Sequence, residues 1–432
     1  MNPESLLPTE EQYLFCIRCG QCVTECPTFR VTLKETQSPR ARVMLVRKFL
    51  EGELSPSPNF VDQIYSCLDC LACNAVCPVG IKPADLALQM RAYLHKTQPQ
   101  PWIKPLVFRV YFTHPRLIEL SMLPFVLYQR LGLQRLLHSL KANNLLPAQL
   151  RDLERLLPNP LPLRPLRASL PELIPARGER KRRVGFFLGC FQNTIFAQGS
   201  AASIKVLAEN GCEIFMPRNV RCCGMPHLGY GELDTFLELA RHNIALFERE
   251  DLEAIVTDCA TCGSTLKEYG HYFKDNPKWS KKAEKFSRKV RDVSEFLLET
   301  GFRRPARKLP LKVTYHDPCH LRRAQGMWKQ PRQILEASVE EFVEMEGADT
   351  CCGSAGTQIL THYETSMAIL ERKIKQVEAS GASVLATGCP GCQLQLGLGA
   401  KKRGLKVQVF HPVELLDLAY SYSSDDSQEE RC

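Results

Sequence analysis

The sequence predicts an α-helical N-terminal module, a basic proline-rich helical connector, and two copies of an α/β domain built on a parallel sheet. Three observations predict it. A cysteine-rich run occurs twice within the first 98 residues, on either side of a segment with helical periodicity. A different cysteine pattern occurs twice in the C-terminal half, each time where short apolar strand-like segments end. Between these halves, residues 99–183 hold 12 of the 29 prolines and no cysteine. The expected boundaries are therefore 1–98, 99–183, 184–305 and 306–420, followed by a polar tail, 421–432.

At 432 residues, 44% apolar and 24% charged, the chain has ample material for packed cores, which excludes global disorder and fibrous classes. Its 20 cysteines sit in a chain several times too long for a secreted disulfide scaffold. The N-terminus, MNPESLLPTEEQ, shows no basic region followed by an apolar one, so no signal peptide is visible. The most apolar stretch, around 120–128, is under half a membrane span and contains Pro124. A cytoplasmic, reduced setting is expected, and there abundant cysteine points to metal.

In the N-terminal module, Cys16-x2-Cys19-x2-Cys22-x3-Cys26-Pro27 recurs at an offset of 51 as Cys67-x2-Cys70-x2-Cys73-x3-Cys77-Pro78. This is the run of two-cluster bacterial ferredoxins, in which the fourth cysteine serves the other cluster. Three closely spaced thiolates grip one cubane, and the proline turns the chain towards its neighbour. The expected ligand sets are Cys16, Cys19, Cys22 and Cys77 for one [4Fe–4S] cluster, and Cys67, Cys70, Cys73 and Cys26 for the other. Structural zinc is the rival, but zinc sites usually present two separated pairs. Residues 41–50 between the runs have helical spacing, which predicts an α-helical ferredoxin module.

The connector, 99–183, carries 15 Lys/Arg against 5 Asp/Glu, so the formal net charge of +9 resides there. Its proline-rich end, 158–175, reads as an extended linker. Earlier, Trp102, Leu106, Val107, Val110 and Tyr111, then Leu131, Leu133, Leu136, Leu137 and Leu140, suggest amphipathic helices with arginines opposite. Two readings stand: solvated arginines on a helical connector, or a docking surface for a partner subunit or anionic membrane. Nucleic acid is disfavoured because no binding motif accompanies the charge.

In the C-terminal half, Cys190, Cys222 and Cys223 recur at an offset of 129 as Cys319, Cys351 and Cys352. Cys259 and Cys262 recur at an offset of 130 as Cys389 and Cys392. Each copy reads Cys-x31-Cys-Cys-Gly followed by Cys-x2-Cys, which marks an internal duplication. Segments 184–188, 313–315, 254–257 and 383–387 read as strands running into these cysteines. Residues 201–209 read as a helix ended by Gly211, and 213–216 as the next strand. Alternating strands and helices predict a parallel, Rossmann-like sheet with the cysteines at strand carboxyl ends and helix N-termini. There the backbone stabilises thiolates. Gly224 and Gly353 suit close approach or positive φ.

Five thiolates exceed the number that a zinc tetrahedron requires, and a more open cluster with bridging thiolates would use them all. The alternatives are a redox-active dithiol or zinc with a spare cysteine. Cys212 has no counterpart and Cys432 lies in the tail, so both read as bystanders. His227, His316, His320 and His411 read as hydrogen-bonding or solvated rather than ligating. Glu295 and Glu414 read as helix-capping residues.

A ferredoxin module followed by two Cys-Cys-Gly (CCG) domains resembles the iron–sulfur subunits of glycolate oxidase and related lactate dehydrogenases. The resemblance covers nearly the whole chain. It is sharpest at residues 16–27, Ser38-Pro-Arg-Ala-Arg42, residues 67–78, and Cys351-Cys-Gly-Ser-Ala-Gly-Thr357 with Leu360-Thr-His362. The architecture is also similar to a heterodisulfide reductase subunit that fuses the same modules, and to the C subunit of anaerobic glycerol-3-phosphate dehydrogenase. The heterodisulfide reductases imply a non-cubane [4Fe–4S] cluster for each complete five-cysteine set. Some glycolate oxidase subunits lack part of these sets, whereas this chain keeps all ten cysteines, which leaves one or two further clusters open.

The resemblance implies an electron-transfer subunit of a FAD-dependent 2-hydroxyacid dehydrogenase, acting on glycolate or D-lactate. A separate FAD-containing subunit would deliver electrons, and a quinone, a membrane protein or another carrier would receive them. The chain is expected to be cytoplasmic, and the docking reading of the connector would set it peripherally at the inner face of the membrane. No G-x-G-x-x-G after a strand and no P-loop is visible, so no flavin, NAD or ATP site is expected. The alternatives are a heterodisulfide-reductase-like subunit that reduces a disulfide at a non-cubane cluster, and a zinc-stabilised binding module.

Overall fold

The computed structural model describes residues 2–140, 147–249, 251–356 and 358–422. Cys432 and the rest of the tail lie outside them. The N-terminal module is helical, as its periodicity predicts. Helix Pro39–Leu50 opens on Pro39, with the Ser38 hydroxyl accepting from the Ala41 amide. Its Val46 packs with Phe60, Ile64, Met90 and Leu94 from helices Pro58–Tyr65 and Pro83–Thr97. This small core braces the two cysteine runs.

The C-terminal half holds two sheets. The first contains β1 (Leu173–Ile174), β2 (Arg182–Phe186), β3 (Cys212–Phe215), β4 (Ala254–Thr257) and β5 (Val290–Asp292), in the order β1-β3-β2-β4-β5. The second contains β6 (Leu309–Tyr315), β7 (Val339–Val343), β8 (Val384–Ala386) and β9 (Gln408–Phe410), in the order β7-β6-β8-β9. Apart from β1, which is antiparallel to β3, all neighbouring pairs are parallel. The two sheets therefore repeat one topology, in which the chain changes winding direction between β2 and β4, and again between β6 and β8. Open parallel sheets bind ligands outside the strand ends at such crevices.

The central strands of the first sheet, β4 and the end of β2, are buried on both faces and read as apolar runs, whereas β3 and β5 alternate. Val184, Phe186, Ile214 and Val256 face a cluster shared with helices Ala197–Glu209 and Val293–Thr300. Phe187 and Ile255 face another, with Phe236, Leu239 and Leu266. The two repeats pack through equivalent elements. Helix Ala197–Glu209 meets helix Pro412–Ser421, just as helix Lys329–Ser338 meets Val293–Thr300.

The connector differs in one respect from a simple extended linker. Its proline-rich end supplies β1, paired with β3 through Leu173↔Phe215, and its last residues begin β2. A short strand on the edge of an existing sheet tolerates flanking prolines, because only one side must hydrogen-bond. Helix Pro115–Arg130 turns Ile118 and Val126 inward. Val126 packs with Leu161, Ile195 and Leu394, next to Phe191. Its outer stripe is apolar as well: Leu120 is 58% exposed, Leu127 55% and Leu131 70%. Arg116, Arg130 and Arg135 are exposed nearby, whereas Glu119 is turned to Arg167, 2.8 Å away. No helix among the described residues is long and apolar enough to cross a membrane.

The ferredoxin module docks on both repeats, and Arg91 ties the backbone of its second cysteine run to the first of them. Its buried guanidinium donates to the carbonyls of Ile64, Tyr65 and Cys67, and to Gly229 O at 2.9 Å across the junction. Gly231, at φ +83, leaves the room this approach needs: an added Cβ would lie 2.3 Å from Arg91 O. Replacing Arg91 by methionine keeps the bulk and strands these acceptors. Arg91→Met is expected to destabilise the protein by about 2–4 kcal/mol, measured as a lowered denaturation midpoint, and to open the junction to limited proteolysis.

Candidate iron–sulfur sites

Each N-terminal run wraps its thiols with an unusual backbone. Arg18 and Gly20 have φ of 57° and 85°, and the residues 51 positions later, Asp69 and Leu71, have φ of 49° and 59°. Left-handed conformations at non-glycine residues cost energy and persist where the surroundings over-determine them. Here they shape the loop that carries the first two cysteines of each run, just before the short helices Gln21–Glu25 and Ala72–Ala75, which carry Cys22 and Cys73.

The fourth cysteine of each run crosses over. Burial and the neighbouring Cys16, Cys19 and Cys77 push the Cys22 thiol up to about 11. Burial and the neighbouring Cys67, Cys70 and Cys26 push Cys73 well up. Cys26, Cys67, Cys70 and Cys73 line one small cavity. Thiols so crowded resist ionising together, and bound cations remove that penalty. The donor set thus fits a polynuclear metal group. Arg42, from the Ser-Pro-Arg-Ala-Arg segment, is 2% exposed, and its Nη1 lies 4.0 Å from Cys26 Sγ. Its other nitrogens donate to Gln63 O at 3.0 Å and Ser66 Oγ at 2.9 Å. Sequence reasoning noticed the segment but not this charge beside the thiols.

Cys190, Cys259, Cys262, Cys319, Cys389 and Cys392 lie just beyond the carboxyl ends of β2, β4, β6 and β8, in the first turns of the helices that follow, whereas Cys222 with Cys223 and Cys351 with Cys352 lie in the loops after β3 and β7. Cys190 and Cys319 each open a helix. Cys259 and Cys389 cap helices Ala260–Lys267 and Pro390–Arg403. Backbone amides point at the sulfurs: Cys262 N donates to Cys259 Sγ at 3.3 Å, and Gly353 N to Cys351 Sγ at 3.4 Å. Gly224 and Gly353 have φ of +96° and +87°, and an added Cβ would strike Phe236 or the Ser366 carbonyl.

Within the first repeat, thiol contacts run Cys190–Cys222–Cys223–Cys262–Cys259. The second repeats the order as Cys319–Cys351–Cys352–Cys392–Cys389, with Cys352 and Cys392 sulfurs 3.4 Å apart. The repeats then meet at equivalent residues, Cys259 against Cys389. Thr261 Oγ1 sits 3.4 Å from Cys389 Sγ, and Ala260 N donates to Gly388 O at 2.9 Å across the seam. At the other end, Cys70 of the ferredoxin module touches Cys351, a contact that with burial pushes its thiol well up. The result is one unbroken line of thiols through both repeats and into the N-terminal module.

The remaining residues behave as follows. Cys212 is buried in the apolar core of the first sheet. His227 bonds Phe108 O at 2.7 Å, and His411 Nδ1 accepts from Val413 N at 3.2 Å. His320 joins all three modules, with Ser264 Oγ at 3.0 Å and Asp69 O at 3.1 Å. Glu295 and Glu414 complete capping boxes with Asp292 and His411. The His316 ring lies within hydrogen-bonding reach of the Ala348 backbone, its Nδ1 has no partner, and it groups with Cys352 and Cys392. Burial and the Lys373 ammonium hold it neutral, pushed down to about 3.

Comparison with known proteins agrees with this architecture. Residues 12–81 match a 4Fe-4S dicluster domain, and 184–267 and 313–397 match a cysteine-rich domain. Residues 99–157 match the linker region of the glycolate oxidase iron-sulfur subunit. A probable glycolate oxidase iron-sulfur subunit of Bacillus subtilis (strain 168) is 38% identical over 417 residues, covering 94% of each chain. The glycolate oxidase iron-sulfur subunit of Escherichia coli (strain K12) is 27% identical over 417 residues, covering 94% of this chain and 93% of its own. Lactate utilization protein A of Bacillus subtilis (strain 168) is 29% identical over 237 residues, 54% of this chain and 99% of its own. With its dicluster module, its linker and both cysteine-rich repeats matched in order, this chain belongs to the glycolate oxidase iron–sulfur subunit family.

Proposed function

We propose that this chain is the electron-transfer subunit of a FAD-dependent 2-hydroxyacid dehydrogenase, with glycolate or D-lactate as the substrate of the complex. The observation that carries the reading is the line of thiols from Cys70 through both CCG sets. In this reading Cys16, Cys19, Cys22 and Cys77 hold one [4Fe–4S] cubane, and Cys67, Cys70, Cys73 and Cys26 the other. Cys190, Cys222, Cys223, Cys259 and Cys262 hold a third cluster, and Cys319, Cys351, Cys352, Cys389 and Cys392 a fourth, each of non-cubane type. Bound there, such clusters supply one-electron carriers. A two-electron oxidation on a flavin needs a one-electron outlet, and the chain supplies one without a visible flavin site of its own.

The protein's own groups prepare these sites. Strand ends and helix N-termini aim amides at the sulfurs, Arg42 puts a positive charge beside Cys26, and burial excludes water from most of the thiols. The FAD subunit is a separate partner, and a quinone or another carrier is the acceptor. The reading sets the chain peripherally at the inner face of the membrane, supported by the exposed leucines and arginines of the connector.

Cys70 stands where the N-terminal sets meet the CCG sets, which makes it the decisive position. In the complex, Cys70→Ser is expected to lower electron delivery to an external acceptor by about a hundredfold or more, while substrate still reduces the partner's flavin in stopped flow. Loss of flavin reduction as well would contradict this division of labour. For the membrane placement, Leu120→Glu with Leu127→Glu is expected to weaken co-sedimentation with phosphatidylglycerol vesicles by about tenfold or more without changing iron content. Unchanged sedimentation would count against that face.

A further inference from the structure

Duplication alone would give two equivalent CCG sites, yet at one position the copies differ in kind. The offset of 129 that carries Cys190 onto Cys319 carries Phe187 onto His316. Phe187 is fully buried and packs in the apolar cluster that includes Cys222, Cys223, Cys259 and Cys262. It offers those sulfurs nothing but hydrocarbon. His316 is equally enclosed, 1% exposed, but it presents a ring nitrogen to its own set. That nitrogen and the sulfurs of Cys352 and Cys392 all lie within 4.8 Å of one another.

The imidazole is held for this position. It follows β6 directly, and its backbone amide donates to Ala386 O of β8 at 2.9 Å, so the strand pair fixes where the ring starts. The Ala348 backbone lies within hydrogen-bonding reach of the ring, and ligating histidines are commonly oriented by such a carbonyl. Nδ1 nevertheless has no hydrogen-bond partner. One ring nitrogen of His95, of His227 and of His411 is unpaired as well, and what sets His316 apart is the pair of sulfurs within reach of its ring.

The geometry points to His316 as a sixth donor of the second CCG site, a ligand that the first site lacks. This rests on the reading above that the second five-cysteine set holds an iron–sulfur cluster. The consequence is electrostatic. A neutral imidazole adds a bond to iron without adding negative charge, and histidine ligation raises the affinity of an iron–sulfur centre for an electron. Lys373 acts in the same direction. It is 1% exposed, its ammonium donates to Gly347 O at 2.8 Å and Ala348 O at 3.1 Å, and either offset places a neutral residue, Ile244 or Asn243, at its counterpart. The offset of 129 also puts the buried Asp317 carboxylate where the first repeat has Leu188, held by Arg322 and Arg332, and the second site is the one in contact with Cys70.

Mössbauer spectra of the 57Fe-enriched, anaerobically purified full-length chain test the assignment, since they count every iron whatever its spin state. One subsite with the larger isomer shift of nitrogen-for-sulfur ligation is expected. It should vanish in His316→Phe, a substitution that the packing of Phe187 shows this type of site to accept, and in His316→Ala. Selective loss of about four irons from both variants, with circular dichroism unchanged, also supports ligation. Spectra and iron content indistinguishable from the parent protein in either variant overturn it. A parent protein with no iron at the CCG sites would instead defeat the reading beneath it, a result separable by iron content alone.

Discussion

The contact of Cys259 with Cys389 is the constraint on which the rest of the arrangement depends. Two buried sulfurs from separate domains meet at equivalent positions of a duplication. Neither repeat can shift without moving the other's site. Around them, eight more thiols stand in sequence close enough to share protons, so they cannot all ionise unless cations neutralise them. The same crowding that makes the apo arrangement electrostatically unfavourable makes it a good polynuclear metal site. Strand ends, helix N-termini and the two CCG glycines exist to hold this crowding in place.

The other modules are arranged around that seam. The ferredoxin module contributes Cys70 to one end of the thiol line, fastened there by Arg91, by His320 and by Arg323, whose Nη1 reaches Cys70 O at 3.4 Å. The connector covers the opposite end. Its helix Pro115–Arg130 packs beside the Cys190 helix, and Glu119 accepts from Asn193 Nδ2 at 2.8 Å. One end of the line thus lies under the second cysteine run, and the other under the face that carries exposed leucines and arginines. Only part of the connector's excess charge belongs to this surface, since Arg177, Arg180, Arg182 and Arg183 are paired with Glu209, Glu213, Glu253 and Asp251 around the start of β2.

Much of this was legible in the sequence because cysteine spacing is a geometric statement. Offsets of 51, 129 and 130 reveal both duplications, and the apolar runs before each cysteine reveal the strands. Parallel strands buried on both faces leave a continuous apolar signal, which is why β2, β4, β6 and β8 are readable. What spacing cannot report is which copies touch. The Cys259–Cys389 seam and the Cys70–Cys351 contact are products of domain packing. β1 was hidden by its prolines, since pairing on one edge leaves almost no periodicity in two residues. His316 was visible only in comparison with Phe187, because a single histidine beside a strand carries no pattern until the duplication is aligned. Arg42 sits in a recognisable segment, but its position against Cys26 depends on how helix Pro39–Leu50 crosses the first run.

In the proposed function both CCG sets, and not only the N-terminal runs, hold iron–sulfur clusters. Iron and acid-labile sulfide per anaerobically purified chain measure this most directly. About sixteen of each are expected, from two cubanes and two further four-iron clusters. About eight of each, with the CCG cysteines titrating as free thiols or binding zinc, would contradict it.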